Sequence, residues 1–470
     1  MKFQTNMHRR CFAAVLLLLL HSAIGAEFPA NADVARQAQQ ILNETTTTDG
    51  PGAAILVARG DEVIFRGARG MAQMELGVAL RADHVFRIGS NTKQFAAATI
   101  LKLIEQGRLS LADPLSKFLP DYPSGSKITV HELLNHTSGI KDYTEIDGYF
   151  RAAIREDLDT AKLVAVFKDQ PVDFAPGTNW KYDNSGYVLI GAIIEKVTGK
   201  SWHEAIRETV LAPLALKHTG YGADQPLIAG RVAGYSTDEQ GHASNTIYIS
   251  MTQPGAAGAM VSSVDDMFHW LRALHTDKVL KAESYQQMIT PVPTPSGKPT
   301  DYGYGIFTRM VRGEHAFGHG GGIPGFTSDT LYIPGPAITV VALTNTDSGH
   351  PDVQLITAKL AASALGRAYP TRHPITLTAA QMQELTGSYK LDGDGRRTIG
   401  VSNGKLYTQR VGGPAHELLA SSVNELYLDA ALDYFTVTRD DTGKVIAIEQ
   451  FPNGEAPSQH QARVGKAASD

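Results

Sequence analysis

Four serines stand three residues before a lysine, a spacing that can pair a nucleophile with a base. When such a serine opens a helix, the lysine lies one turn later on the same face, and the helix N-terminus presents a backbone N–H to a developing oxyanion. Only Ser90 precedes an uninterrupted helix-forming run, NTKQFAAATILKLIEQG, whose alanine-rich centre indicates burial. Burial would lower the pKa of Lys93 and prepare it to accept the serine proton. The four pairs are Ser90/Lys93, Ser124/Lys127, Ser138/Lys141 and Ser402/Lys405.

An isolated Ser-x-x-Lys is more often a plain helix N-cap than a catalytic pair, but two further motifs add groups that a catalytic serine needs. Tyr182-Asp183-Asn184 is the only Tyr-x-Asn in the chain. We expect Tyr182 to be a second proton carrier whose phenol pKa is lowered by the Lys93 cation, and Asn184 to bond substrate and lysine. In His319-Gly320-Gly321-Gly322, the glycines would let substrate approach a strand edge and expose a backbone N–H.

Other patterns carry less chemistry. Gly400-Val401-Ser402-Asn403-Gly404 matches a nucleophile elbow, but its Asn-Gly pair predicts a hairpin turn rather than the strand-to-helix turn that the elbow needs. His131 and His136 are five residues apart, so on one helix they point about 140° apart and cannot share a zinc ion. His218-Thr219-Gly220 follows a helix end and is interpreted as a loop. The sequence therefore predicts no metal and no cofactor.

The composition excludes several classes of protein. The chain has 470 residues, a net charge of −5 and one cysteine, Cys11. Without a basic excess, a nucleic-acid partner is not indicated. One cysteine rules out a disulfide framework and any multi-cysteine metal site.

Residues 1–26 are interpreted as a signal peptide, with a cationic start, a ten-residue apolar run and small residues near position 26. A run of that length is too short to span a membrane, so no membrane span is expected after cleavage. Cleavage would leave 40 cationic and 48 acidic side chains, a net charge of −8, and no cysteine. We expect a bacterial periplasmic or secreted protein.

Hydrophobic patterning divides the remaining chain. A helix over residues 33–42 and a hairpin over 53–58 and 62–69 precede a mainly helical stretch at about 85–275. Strands return near 304–309, 315–319, 328–333 and 338–345, followed by a helix over 353–365. This order predicts a sheet domain, residues 27–368, with a helical insertion. Residues 369–375 are expected to be a linker, and the turn-rich segment 376–470 a small antiparallel β-barrel.

Taken together and in this order, the three motifs resemble those of the serine β-lactamase/penicillin-binding superfamily. Tyr-x-Asn indicates the branch of class C β-lactamases, D-aminopeptidases, alkaline D-peptidases and esterases. Flanking phrases agree from about residue 33 to 366, among them ITVHELLNHTSGI and FGHGGGIPGFTS. The resemblance implies an α/β (α+β) fold, an antiparallel sheet packed with helices plus an inserted all-helical domain. The C-terminal segment resembles the lipocalin-like barrel of some relatives, which can pack near the active-site mouth.

The resemblance also implies roles for individual residues. Ser90 would be the acylated nucleophile, and either Lys93 or Tyr182 the base. Backbone N–H groups of Ser90 and Gly322 would form the oxyanion hole. His319 stands where β-lactamases and DD-peptidases usually carry a lysine that holds the substrate carboxylate, and a mostly neutral histidine is a weaker anion partner. The residues implied to bind substrate are Asn184, His319, Gly321 and Asn345.

These features predict a serine hydrolase that forms an acyl-enzyme on a D-amino-acid peptide, amide or small ester. The expected partner is thus a small-molecule or peptide substrate, including a β-lactam. Two alternatives stay open, namely a β-lactamase or DD-carboxypeptidase of low activity, and a non-catalytic penicillin-recognising sensor or scaffold. Oligomeric state and the role of the barrel are not predicted by the sequence.

Overall fold

The computed structural model describes residues 28–238, 240–293, 300–349, 351–391, 395–429 and 431–465. The predicted signal peptide lies outside these residues. Within the described ranges, no helix is long and apolar enough to cross a bilayer.

The described ranges contain twelve α-helices, and α7 continues as a π-helical turn over Arg207–Leu211. They are α1 (Asn31–Thr45), α2 (Thr92–Glu105), α3 (Val130–Leu134), α4 (Tyr149–Ala152), α5 (Thr160–Phe167), α6 (Ser185–Thr198), α7 (Trp202–Ile206), α8 (Gly255–Gly258), α9 (Val264–Leu274), α10 (Ala282–Ile289), α11 (Val353–Ala364) and α12 (Ala379–Leu385).

The strands form a main sheet, a barrel and three small sheets. They are β1 (Ala53–Arg59), β2 (Glu62–Arg69), β3 (Met71–Gln73), β4 (Val78–Ala79), β5 (Phe86–Arg87), β6 (Gly220–Tyr221), β7 (Tyr235–Thr237), β8 (Ala243–Asn245), β9 (Met260–Ser262), β10 (Phe307–Val311), β11 (Glu314–Ile323), β12 (Phe326–Ile333), β13 (Ile338–Thr344), β14 (Gly387–Lys390), β15 (Arg396–Ser402), β16 (Lys405–Arg410), β17 (Ala415–Ser422), β18 (Glu425–Tyr427), β19 (Tyr434–Arg439), β20 (Val445–Phe451) and β21 (Gln459–Gly465).

The main sheet is antiparallel, with strand order β10-β11-β12-β13-β1-β2. Strand β1, which lies between β13 and the edge strand β2, is apolar on both faces, and both faces are covered. Helices α1 and α11 bury one face, where Val34, Ala38 and Leu42 of α1 are fully buried. The other face packs against α9 and the core that contains α2 and α6. The predicted α1, β1–β2 hairpin and C-terminal strands of this domain are confirmed.

The segment between residues 85 and 275 is mainly helical, as predicted, but it also contains strands. β5, β9 and β6 form a three-stranded sheet, and β7 pairs with β8. The implied all-helical insertion is therefore a mixed one. These strands are two or three residues long, too short for an alternation of apolar and polar residues to show in the sequence.

The C-terminal region is a closed antiparallel barrel of β14 to β21 in sequence order. Ser402 and Lys405 pair directly across the Asn403-Gly404 turn, and Asn403 and Gly404 both have positive φ. Such a two-residue hairpin is the structure that the Asn-Gly pair predicts, and Ser402 is not on a nucleophile elbow. Helix α12, which the sequence analysis missed, precedes the barrel.

Candidate active site

Ser90 lies in a single 3₁₀ turn, Gly89–Asn91, that runs directly into α2. Its side chain is half-buried and lines a cavity. One helical turn later, the side chain of Lys93 is fully buried, and its Nζ lies 3.1 Å from Ser90 Oγ. The predicted pairing of the two side chains on one helix face is confirmed. In the two pairs that lie in loops, Lys127 is exposed and Lys141 is only partly buried, so neither lysine is comparable.

Lys93 is held from three sides. Its Nζ donates to Asn184 Oδ1 (2.8 Å) and to the carbonyl oxygen of Ala257 (3.0 Å), besides contacting Ser90. Burial lowers the pKa of Lys93 to about 7, although the carboxylates of Asp142 and Asp183 favour its charged form. A substantial fraction of Lys93 is therefore the neutral amine near pH 7, which can accept a proton from Ser90.

Tyr182 lies in the loop before α6, and its ring centroid is 4.7 Å from Lys93 Nζ. The expectation that Lys93 lowers the pKa of the Tyr182 phenol is wrong. Burial raises this pKa well above its usual value, and the carboxylates of Asp142 and Asp183 raise it further, while hydrogen bonding with Ser90 opposes them only in part. Tyr182 is thus a protonated phenol at neutral pH, suited to donate a proton rather than to remove one.

Strand β11 carries His319, Gly321 and Gly322 past the Ser90 turn. A Cβ at Gly321 would lie 2.0 Å from the carbonyl oxygen of Ile88, so the strand can approach this closely only without a side chain. A Cβ at Gly89, which has a φ of +50°, would lie 2.8 Å from the backbone nitrogen of Gly322. The Gly322 nitrogen is therefore beside the 3₁₀ turn that carries Ser90.

The direction of the Gly322 N–H follows from the strand register. Ile323 and Phe326 flank a two-residue turn and form a hydrogen-bonded pair, and bonded and non-bonded pairs alternate along an antiparallel ladder. The next pair, Gly322 with Thr327, is then non-bonded, so the Gly322 N–H points away from β12. Because β10 ends its pairing at Gly318, none of the described strands pairs with this edge of β11 at Gly322. The Gly322 N–H is therefore oriented as the predicted oxyanion-hole donor requires.

His319 is almost fully buried, and both ring nitrogens have partners within the protein. Nε2 lies 3.0 Å from the Tyr302 hydroxyl, and Nδ1 contacts the carbonyl oxygen of Gly320. Burial and the neighbouring Lys93 cation lower the pKa of His319 well below its usual range. His319 is therefore neutral, and it offers no free donor to a substrate carboxylate.

Asn345 does not join the site. Its side chain is fully buried, with Oδ1 accepting from the Gly52 N–H (2.7 Å). Its Nδ2 donates to the carbonyl oxygens of Met71 and Ala233, both at 2.9 Å. The Asn345 amide thus joins three backbone segments. The structure gives no support to the implied substrate contact.

Three residues near the site were missed by the sequence analysis. Asp142 is buried and accepts from Asn184 Nδ2 (3.1 Å), which orients that amide toward Lys93. Asp183 receives the N–H of Gly186 at the start of α6, and burial raises its pKa to about 7. His136, which has a φ of +65°, places its ring 4.4 Å from that of Tyr182.

His136 also explains the failed zinc pattern. Helix α3 ends at Leu134, so His131 and His136 do not share a helix, and His131 Nδ1 instead lies 2.6 Å from the Tyr304 hydroxyl. His136 Nδ1 lies 3.3 Å from Asp183 Oδ2. The Tyr-Asp-Asn motif and the HTSG phrase pointed to Asp183 and His136 separately. Only the fold shows that these two residues are in contact.

Comparison with known proteins places this geometry in context. Penicillin-binding protein 4* of Bacillus subtilis (strain 168) is 26% identical over 434 residues, 86% of this chain and 94% of that protein. Esterase EstB of Burkholderia gladioli is 34% identical over 190 residues, 37% of this chain and 48% of the esterase. The structure is similar to that of a D-stereospecific amidohydrolase from Streptomyces sp., with 30% identity and a TM-score of 0.60 over 70% of this chain and 97% of that one.

The family model described as Beta-lactamase matches residues 34–365, which include Ser90, Lys93, Tyr182 and His319. The matched range covers the main sheet and the helical region and stops before the barrel. The chain belongs to the β-lactamase family of serine hydrolases.

Proposed function

We propose that this chain is a secreted serine hydrolase that forms an acyl-enzyme on Ser90 and acts on D-amino-acid peptides, amides or small esters. The observation that carries the proposal is the fully buried Lys93, whose Nζ lies 3.1 Å from Ser90 Oγ and whose pKa is lowered to about 7. The esterase and D-stereospecific amidohydrolase relatives support the choice of substrates.

In the proposed reaction, neutral Lys93 is the base. It takes the proton of Ser90 Oγ while that oxygen attacks the substrate carbonyl carbon, and the N–H groups of Ser90 and Gly322 stabilise the oxyanion. Tyr182, protonated because its pKa is raised, gives its proton to the leaving amine or alkoxide and regains one from Lys93. Water then enters and loses a proton to this pair while its oxygen attacks the acyl carbon; the bond from that carbon to Ser90 Oγ breaks, and the pair returns the proton to Oγ as the carboxylic acid leaves.

The test compares the wild type with Ser90→Ala and with Ser402→Ala as a matched control, since Ser402 belongs to another serine–lysine pair on the barrel. A fluorophosphonate probe should label the wild type and Ser402→Ala but not Ser90→Ala. Equal labelling of Ser90→Ala would overturn the nucleophile assignment.

Turnover distinguishes the substrate classes. We expect hydrolysis of a D-alanine anilide or a p-nitrophenyl ester, and little of a chromogenic cephalosporin, because His319 is neutral and fully bonded. Fast cephalosporin turnover would indicate a β-lactamase. Stable labelling by a fluorescent penicillin with no turnover of any of the three would indicate a sensor.

Export is part of the same proposal. It rests on the cationic start, the apolar run and the small residues within positions 1–26. N-terminal sequencing of the protein recovered from the periplasm or medium of a bacterial host should begin near residue 27. Retention of all activity in the cytoplasm with an intact N-terminus would contradict it.

A further inference from the structure

The cavity beside Ser90 has a volume of about 230 Å³ and walls made largely of carbon. Ile154 and Ile249 line it and are almost fully buried, whereas Phe150 is 38% exposed and thus forms part of its rim. The apolar lining residues are Tyr143, Phe150, Ile154, Ile249, Pro254, Ala257, Ile323 and Pro324. A group that binds here leaves water and contacts mainly apolar side chains.

None of the described residues that line this cavity carries a charged side chain. The glutamine in its wall is fully engaged elsewhere: Gln253 Oε1 accepts from the Tyr149 hydroxyl, and its Nε2 donates to the carbonyl oxygens of Ala153 and Glu156. The Tyr143 hydroxyl donates to the Gln253 carbonyl oxygen (2.7 Å). These polar groups are satisfied within the protein and are not directed at a ligand.

The other polar side chains of the wall, those of Asn184 and Thr144, are also bonded within the protein. Asn184 Oδ1 is held by Lys93 and its Nδ2 by Asp142. Thr144 Oγ1 donates to Asp142 Oδ1 (2.9 Å). The lining also includes the Ser90 hydroxyl and the exposed backbone of Gly322, where a Cβ would meet nothing within 4 Å.

We infer that this cavity is the acyl subsite and that it takes an uncharged, apolar acyl group, so that the preferred substrates are esters or amides of small apolar carboxylic acids. The inference rests on the proposed function and narrows its substrate class. An acyl group with a free carboxylate or ammonium would lose its hydration here without gaining a partner, which is costly. Among D-amino-acid derivatives, those whose acyl part lacks a free ammonium are then preferred.

The experiment compares p-nitrophenyl esters that match in shape and differ in charge. The 4-methylpentanoate is the neutral counterpart of the anionic hemisuccinate, and the pentanoate is the neutral counterpart of the cationic 4-aminobutyrate. We expect kcat/KM for each neutral ester to exceed that of its charged counterpart by about a hundredfold or more. From acetate to pentanoate, kcat/KM should rise about threefold to fourfold per methylene.

A variant tests the location of the subsite. Phe150→Lys puts a cation at the rim, where a charged side chain can reach water, and should reduce the preference for 4-methylpentanoate over hemisuccinate at least tenfold. Val411→Lys is the matched control, because Val411 is 76% exposed in a barrel turn and does not line the cavity. It should leave that preference unchanged.

The outcomes separate this inference from the proposed function. Turnover that persists in Ser90→Ala would overturn the proposed function. Turnover that depends on Ser90 but is equal or faster for the charged esters would overturn the apolar subsite alone. If Phe150→Lys does not fold, the ratios of kcat/KM between neutral and charged esters in the wild type still decide whether the subsite is apolar.

Discussion

Lys93 shows how strongly the chemistry of one residue depends on its surroundings. Its Nζ reaches Asn184, which lies 91 positions away along the chain, and the carbonyl oxygen of Ala257. Burial costs the ammonium its hydration, while Asp142 and Asp183 recover part of that loss, and the balance is a pKa of about 7. Tyr182, in the same surroundings, is shifted in the opposite sense because its charged form is an anion.

Activity should rise with pH as Lys93 loses its proton. Because we propose the neutral amine as the base and the pKa of Lys93 is about 7, kcat/KM on a neutral p-nitrophenyl ester should increase tenfold per pH unit below 7 and level off above it. Lys93→Ala should lower kcat/KM by about 10²–10⁴ and remove this limb. A wild-type profile that is flat between pH 5.5 and 8 would show that Lys93 is not the base.

Replacing Asp183 with asparagine should shift this profile to lower pH. The carboxylate of Asp183 stabilises the Lys93 ammonium, so its removal makes that ammonium easier to deprotonate. Asp142 and the His136 ring still face the lysine from neighbouring loops. The midpoint of the kcat/KM profile should fall in Asp183→Asn and stay unchanged in Glu417→Gln, a surface control on the barrel. An upward shift would contradict this electrostatic role.

At the scale of elements, the site depends on how closely β11 approaches the turn that carries Ser90. The strand pairs with β10 from Glu314 to Gly318 and with β12 from Phe317 to Ile323, so the edge of its last residues that faces away from β12 lies beside Ser90. Ser328 on β12 accepts from Asn91 Nδ2 (2.9 Å) and donates to the Ile88 carbonyl oxygen (2.8 Å), which fixes the turn against the sheet. The glycines of β11 make this contact possible.

A methyl group at Gly321 should therefore separate the strand from the turn. Its Cβ would lie 2.0 Å from the Ile88 carbonyl oxygen and 2.5 Å from Ser328 Oγ. We expect Gly321→Ala to lose about 1–3 kcal/mol of unfolding free energy in urea titration and at least a hundredfold in kcat/KM. Gly320→Ala is the neighbouring control, because its Cβ meets first the end of the flexible Gln354 side chain, at 3.0 Å. Equal effects of the two changes would contradict the close approach.

Periodicity allowed most of these elements to be predicted, including α1, the β1–β2 hairpin, α2 and the barrel strands. Elements of two or three residues, such as β5 and β9, were missed because they have no readable period. The pairing of Ser90 with Lys93 was predictable because helix geometry fixes the two side chains relative to each other, whereas the choice of base between Lys93 and Tyr182 was left open by the sequence. The Asp183–His136 contact was not, because it joins positions 47 apart through the fold. Asn345 was misassigned since sequence position alone does not distinguish a substrate contact from a bond to a loop.

At the scale of the whole molecule, the barrel meets the catalytic domain near the turn between β10 and β11. Glu455 of the barrel accepts the Arg312 N–H (2.7 Å) in that turn and the Tyr369 hydroxyl (2.5 Å) in the connecting segment. The Arg312 guanidinium lies 5.1 Å from the Tyr369 ring centroid. The barrel has a core of its own, distinct from the two cores of the main sheet. The Glu455 carboxylate thus links the barrel to the catalytic domain, each of which has its own hydrophobic core. The link lies at the end of β11 that is remote from Gly322.

Removing this carboxylate should loosen the barrel without affecting catalysis. Glu455→Ala deletes two hydrogen bonds to a charged acceptor, each worth about 1.5–3 kcal/mol, so the segment around Tyr369 should open more often. Trypsin should then cleave faster after Arg367 and Arg372, read by mass spectrometry, whereas kcat/KM of the intact variant stays at the wild-type value. Glu417→Ala, which removes an exposed ion pair with Lys405, is the control and should leave the cleavage rate unchanged. Unchanged cleavage in Glu455→Ala would show that other contacts hold the barrel, and a large loss of kcat/KM would show that its docking reaches the active site through the β10–β11 hairpin.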